Sequence, residues 1–268
     1  MKLFAMFVNI FTDPAIVFEE LKKTNNWKLS LMPLIILMVL GAVSLLLLKD
    51  LYYDVQLEQS VKWIENSSQI PEDQKEDALN SVYDSFENPK PFSIAIMWLT
   101  NVFAGPLRVL MITLIILLIV KFFFGESTSY LSLLPYISFS YLITVLESVI
   151  KIPLMLNKWS IDVYTGMGLL DIGEKGTFIN NFLSAVDLFS VWRIILIGIG
   201  LSIYFNKAAK PYTIAIFIYW LFQISIFSFS VLTMDQVLQL GDLRVQFQPY
   251  PICLLYTSDA ADETPCVA

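Results

Sequence analysis

Residues Val109 to Val120 read VLMITLIILLIV, with no charge, no glycine, no proline and a single threonine. No face of a helix or strand built from that run is polar, so water is a poor solvent for it. Extended from Pro106 to Phe124 it reaches about 19 residues, the length a helix needs to cross roughly 30 Å of hydrocarbon. Four other stretches share its character: about 29–48, 130–150, 185–205 and 212–234. The pattern predicts an all-α fold, a polytopic membrane helix bundle with five transmembrane helices, an N-terminal interfacial helix and a helical extracytoplasmic loop. Composition agrees, since 56% of residues are hydrophobic and 15% charged, whereas a soluble domain carries about 25% charge.

The N-terminal MKLFAMFVNIF is too short an apolar run for a signal peptide and lacks a small-residue cleavage site. It reads instead as the start of a cytoplasmic interfacial segment, residues 1–28. Asp13 can cap a helix there, and Pro14 suits the first helical position, where its missing N–H costs nothing. That helix is expected to end near Thr24 with Val17, Phe18 and Leu21 on one face. Lys22, Lys23 and Lys28 stand close to the first span, where lysines snorkel toward anionic headgroups.

Span one carries Pro33 in its first turn, where proline is tolerated. After Lys49 the character changes. Ten acids from Asp50 to Glu87 face only Lys49, Lys62, Lys75 and Lys90. The spacing of Leu51 and Val55, then of Ala78, Leu79, Val82 and Phe86, predicts two solvated helices. The first is either separate or a continuation of span one; the second begins at Pro71. A divalent-cation site in this loop has no fixed ligand spacing to support it. From Phe92 to Phe124 the apolar run is too long for one upright span. Gly105 and Pro106 are the natural break, leaving 92–104 as a short interfacial or re-entrant helix and Arg108 within a turn of the outer interface.

Gly125 ends span two, and Ser127, Thr128 or Ser129 can cap span three. The connection from Lys158 to Asn181 holds Gly166, Gly168, Gly173 and Gly176. A tight turn from Lys207 to Pro211 leads into span five. With the N-terminus inside, Lys2, Lys22, Lys23, Lys28, Lys121, Lys207 and Lys210 fall on the cytoplasmic side. Lys49, Lys62, Lys75, Lys90, Lys151, Lys158, Lys175 and Arg244 fall outside, at about half the density. The expected location is the cell membrane, with the N-terminus cytoplasmic and the C-terminus outside.

Ionisable residues inside spans are candidate functional groups, because placing them in hydrocarbon is costly. Five are candidates for an intramembrane polar network: Arg108, Glu147, Lys151, Asp187 and Arg193. Glu147 and Lys151 stand four apart, the spacing of a helical ion pair. Asp187 and Arg193 stand six apart, about 600° of helix, so they are expected on different faces. Each then pairs across helices, Arg193 with Glu147 or Asp187 with Arg108. The serines of span five (Ser225, Ser228, Ser230), with Gly198 and Ser202 of span four, suit close helix packing.

The chain has no histidine, which removes the commonest general base and metal ligand. No serine has a triad arrangement, and Gly166 with Gly168 starts no phosphate loop. Catalytic, cofactor-binding and metal-ligating residues are therefore all expected to be none, and no basic patch favours nucleic acid. The expected partners are the lipid bilayer and, beyond it, other membrane proteins or a second copy of the chain. Residues 235–251 form a short tail. The terminal CLLYTSDAADETPCVA, which holds Cys253 and Cys266, resembles the translation of sequencing-adapter read-through, so the natural chain is expected to depart from it near Pro251.

Residues 8–234 together resemble the Yip domain family of five-span membrane proteins. The resemblance rests on IFTDP from Ile10 to Pro14 with Phe18, the large first loop, and the Gly125 turn leading to Tyr130. It also rests on the third span, with Leu134, Pro135, Tyr136 and Pro153, and on the fourth, DLFSVW from Asp187 to Trp192 followed by Gly198 and Gly200. Eukaryotic members are associated with Rab-type GTPases and membrane traffic. That role is tied to a longer cytoplasmic N-terminal region, so it is not carried over. The layout is closer to bacterial members. The function implied is that of a non-enzymatic scaffold or adaptor in membrane organisation or trafficking-like processes. A permease or accessory transporter subunit is the alternative, and a polar cavity lined by Glu147 and Arg193 would favour it.

Overall fold

The computed structural model describes residues 3–67, 70–170, 172–173 and 177–239, with side-chain surroundings given as far as Ser230. The tail beyond 239, with Cys253, Cys266 and Arg244, lies outside the described residues, as do Lys2, Lys175 and Gly176. The described residues are almost wholly helical and contain no strand.

Two short helices open the chain, α1 (Leu3–Thr12) and α2 (Pro14–Thr24). The Ile16 N–H donates to Asp13 Oδ1, and Asn25, at φ 43°, closes α2 in the left-handed conformation. The cap, the range and the shared face match the sequence reading. Val17, Phe18 and Leu21 are buried against the bundle. Phe18 stacks on Tyr136 at 5.9 Å between ring centroids, and its ring lies 3.2 Å from where a Cβ on Gly200 would stand. Lys22 is likewise turned inward. Its ammonium donates to the Ile203 carbonyl and to Asn206 Oδ1, at the end of a helix where the dipole favours a cation.

Helix α3 (Leu31–Asn66) joins span one and the first loop helix in 36 unbroken residues. Helix α4 (Glu72–Glu87) starts just after Pro71, as its sequence predicts, and folds back so that Tyr53 and Phe86 meet edge to face.

Helix α5 (Pro91–Phe124) runs 34 residues without the expected break, carrying Pro106 in its interior. The separate helix over 92–104 does not exist. A proline leaves the carbonyl four residues earlier without its helical donor and crowds it. Here α3 packs directly across the weak point. Gly41 approaches the backbone of Asn101 and Val102, and a Cβ on Gly105 would sit 3.2 Å from Leu37 Cβ. Tertiary packing of this closeness tolerates a proline inside a membrane helix.

Span three is also unlike its prediction. Instead of one helix over 130–150, α6 (Tyr130–Ser140) and α7 (Ile143–Lys158) are separated by a turn at Tyr141 and Leu142. There the Leu142 N–H reaches the Phe139 carbonyl and the Thr144 N–H the Tyr141 carbonyl, three residues back in each case. The Ser138 hydroxyl bonds the Pro135 carbonyl and the Ser140 hydroxyl the Tyr136 carbonyl, and such back-bonding bends helices. Every residue from Leu133 to Ile143 is buried, so this segment is the centre of the bundle. Leu133, Leu134 and Ile137 form one apolar cluster with Val109, Ile116 and Val120 of α5 and with Ile194, Ile197 and Leu201 of the fourth span.

The chain returns through α8 (Phe178–Ala185), α9 (Leu188–Phe205) and α10 (Ala209–Gln239). Span four thus runs Leu188–Phe205, inside the approximate 185–205, and α10 contains the expected 212–234. Gly198 lets α9 and α10 touch, since a Cβ there would lie 3.0 Å from Thr213 Cβ. At this end of the bundle Lys207 pairs with Glu126 at 2.6 Å, and the Tyr212 hydroxyl donates to the same carboxylate at 2.7 Å.

Candidate intramembrane polar site

The most connected polar group of the spans is built where α9 begins. The chain enters α9 extended, pinned by the Met167 N–H donating to the Val186 carbonyl at 3.0 Å. Asp187 is then the N-cap. Its Oδ1 accepts the Ser190 N–H at 2.9 Å and its Oδ2 the Ser190 hydroxyl at 2.7 Å. One turn on, Arg193 Nη2 donates to Ser190 Oγ at 2.9 Å, and Nη1 to Thr144 Oγ1 of α7 at 3.2 Å. The guanidinium carbon stands 4.8 Å from the centroid of the Tyr141 ring, within cation–π range. A chain of polar contacts therefore runs from Asp187 through Ser190 and Arg193 to Thr144, over the turn that splits span three.

This arrangement revises the expected pairings. Asp187 and Arg193 are connected, through Ser190, because Asp187 precedes the helix and is not bound by its angular spacing. Arg193 reaches Thr144 rather than Glu147, and Asp187 does not meet Arg108. Glu147 and Lys151 do pair with each other on α7, at 2.6 Å and with about a fifth or less of each side chain exposed. Arg108 lies at the middle of α5, exposed, because that helix continues back past Pro106 to Pro91.

Sequence reading missed Tyr141, Thr144 and Ser190. Ser190 was legible, since it stands three residues from both Asp187 and Arg193, the N-cap spacing on one side and a helical turn on the other. Thr144 and Tyr141 had no local signal, because their contacts with Arg193 depend on where the break in span three falls. Chemically, the site anchors its own Arg193 guanidinium and orients the Ser190 hydroxyl. Among the described residues no group of three His, Cys, Asp or Glu is placed to hold a metal ion. Outside the spans, hydrogen bonds from Lys207 and then Tyr212 hold the Glu126 carboxyl below the usual carboxylate range.

Five helical stretches, 27–66, 91–124, 130–158, 188–205 and 209–230, are long and apolar enough to cross a membrane. With this bundle they define a multi-span α-helical membrane protein. The Yip1 domain profile matches residues 8–232, and the chain belongs to the Yip1 domain family. No curated protein and no solved structure gives a significant match.

Proposed function

We propose that this chain is a non-enzymatic scaffold or adaptor of membrane organisation, seated in a bacterial inner membrane with its N-terminus cytoplasmic and its C-terminus outside. The observation that carries this reading is the filled centre of the bundle. Eleven consecutive residues, Leu133 to Ile143, are buried there, and Arg193 is engaged by Ser190 and Thr144. A small pocket between α2 and α6 holds about 10 Å³, and a larger one of about 290 Å³ is an open apolar depression on α5 lined by Ala95, Trp98 and Phe103. A solute path needs polar side chains facing a wet passage, whereas these face one another. The permease reading would require Arg193 and Glu147 to open onto such a passage.

Capture of the tagged full chain from native membranes in mild detergent, after brief crosslinking, tests the proposal. The expected product is a discrete assembly larger than the 30.6 kDa chain, with the partner retained after Arg193→Lys. A chain that runs alone at native abundance, and that makes sealed vesicles permeable to a solute, overturns it. Tags placed before Leu3 and after Met234 should report from opposite sides of the membrane.

A further inference from the structure

The connection between spans three and four has the length of a loop but not the character of a solvated one. From Val163 to Leu170 and from Phe178 to Val186 it holds no charged residue. It contains a single 3₁₀ turn, Met167–Leu170, and then α8. Met167, Leu169, Leu170, Ile172 and Ile179 are all exposed, and contiguous exposed apolar surface marks a protein or membrane contact. The connection between spans one and two lies on the same side of the bundle, since Trp159 Nε1 donates to Asp54 Oδ2 at 2.8 Å. That one behaves as water demands, with Glu72, Asp73, Glu76 and Asp77 of α4 exposed.

The level of this surface follows from α9 and α10, which run antiparallel and touch at Gly198 and Thr213. Leu188, where α9 begins, stands ten residues before Gly198, about 15 Å from that contact. The exposed stripe of α10 passes through Ile218, Phe222 and Ile226 to Phe229, about 24 Å from the same contact. Apolar surface on α10 thus outlasts α9 by about 9 Å. The inner face of α10 is also covered beyond the start of α9, because Ser228 is fully buried. Helix α8 packs against α10, and it is the chain immediately before α9, so it fills that level. Its exposed Ile179 therefore stands beside the last turns of the α10 stripe.

We infer that the connection between spans three and four is a membrane-docking element, with Leu169, Leu170 and Ile179 set among the acyl chains of the leaflet on the side of α4. The occupant is lipid because this surface continues the apolar stripe of α10, which already belongs to a span. Elements that lie in a membrane interface bury their apolar faces about 5–10 Å deep, which matches the offset of about 9 Å between Phe229 and Leu188. The backbone suits such a place, where polar groups must find partners within the chain. The Met167 N–H donates to the Val186 carbonyl and the Leu169 N–H to the Gly166 carbonyl, and Thr177 caps α8 through the Asn180 N–H. Exposed Trp159, with its ring N–H on Asp54, has the character of an interfacial anchor at the entry to the segment.

The test places a thiol-linked fluorophore on the full chain, with Cys253 and Cys266 replaced by serine, in phosphatidylcholine nanodiscs. Leu169→Cys and Ile179→Cys report on the docking element, Phe222→Cys on the α10 stripe and Tyr83→Cys on exposed α4. Phosphatidylcholine brominated on its acyl chains is the quencher within the membrane, and iodide is the quencher in water. Brominated lipid should quench the labels at 169 and 179 to within about twofold of the label at 222, the scale expected of side chains held at interfacial depth. It should leave the label at 83 unquenched, and iodide should quench only that one. Leu169 and Ile179 lie on different elements, so a local loss of structure at one label does not decide the result. Iodide quenching at 169 and 179 equal to that at 83 overturns the assignment. Protection of both from either quencher, as a second copy or another protein seated on this face would give, overturns it too.

Discussion

Replacing Gly198 by alanine sets two effects of opposite sign against each other. Helix propensity alone favours alanine by about 0.8–1 kcal/mol inside a helix such as α9. The packing disfavours it. A Cβ at position 198 would stand 3.0 Å from Thr213 Cβ and 3.2 Å from Thr213 Cα, and would overlap Thr213 Oγ1. The hydroxyl is not idle, for it donates to the Ala209 carbonyl at 3.1 Å. Moving it therefore costs a contact, and moving the Cα means parting the helices. Overpacking of this kind costs about 1–3 kcal/mol, and contact with backbone as well as side chain puts this case near the upper end. The net destabilisation is about 1–2 kcal/mol, a loss of roughly 2–8 °C in melting temperature at 2–4 °C per kcal/mol. Thermal melting of the purified chain in mild detergent, followed by tryptophan fluorescence, measures it. Adding Thr213→Ala should recover more than half of the loss, because it removes the overlapping oxygen and leaves only the marginal Cβ contact. The double-mutant cycle isolates that coupling. A Gly198→Ala chain that melts above the wild type, as propensity alone dictates, refutes the account of how spans four and five meet.

Two further expectations follow from the polar contacts. Arg193→Leu removes donors to Ser190 and Thr144 and should cost about 2–4 kcal/mol, seen as reduced abundance in membranes; Arg193→Lys restores only part, and normal abundance of the leucine variant would sink the structural role. Glu126 has its carboxyl held low by Lys207 and Tyr212. A lowered folded-state value gives stability that is present above the unfolded carboxylate value of about 4.3 and is lost as pH falls through the lower folded one. The gap in melting temperature between wild type and Glu126→Gln should therefore be constant at neutral pH and close below about pH 4; a gap of the same size throughout the acid range counts against the pairing.

The five spans were legible because a bilayer demands long apolar helices, and residues 109–120 permit nothing else. The Asp13–Pro14 start of α2, the Pro71 start of α4 and the Glu147–Lys151 pair were legible because each depends on residues within one or two turns. What was not legible depends on tertiary contact. Gly105 and Pro106 look like a break when read alone; only Leu37 and Gly41, more than sixty residues earlier, keep α5 continuous. Lysine 22 looks like a snorkelling surface residue until the end of α9, nearly two hundred residues away, is brought beside it. The polar site divides in the same way. Asp187, Ser190 and Arg193 share one stretch of sequence, whereas Thr144 and Tyr141 join them only because span three bends at its buried serines.

The unbroken course of α5 also sets how it crosses the bundle. Phe92, Leu99, Phe103, Leu107, Met111, Leu114, Leu118 and Phe122 are all exposed, at steps of seven, four and three that keep them on one side. This stripe is about 45 Å long, half as long again as the roughly 30 Å of hydrocarbon it must face. Standing upright, the helix would push apolar surface into the headgroups. At about 40°, the top of the range seen for membrane helices, the stripe spans about 34 Å. The contacts fit such a diagonal. Helix α5 meets α3 at Asn101 and Gly105 in its first half, packs Ile116 and Val120 against α6 further on, and meets α10 at Phe124. A helix crossing its bundle obliquely must part from one neighbour where it approaches another. The same uninterrupted proline-bearing helix leaves one charge, Arg108, exposed at its middle.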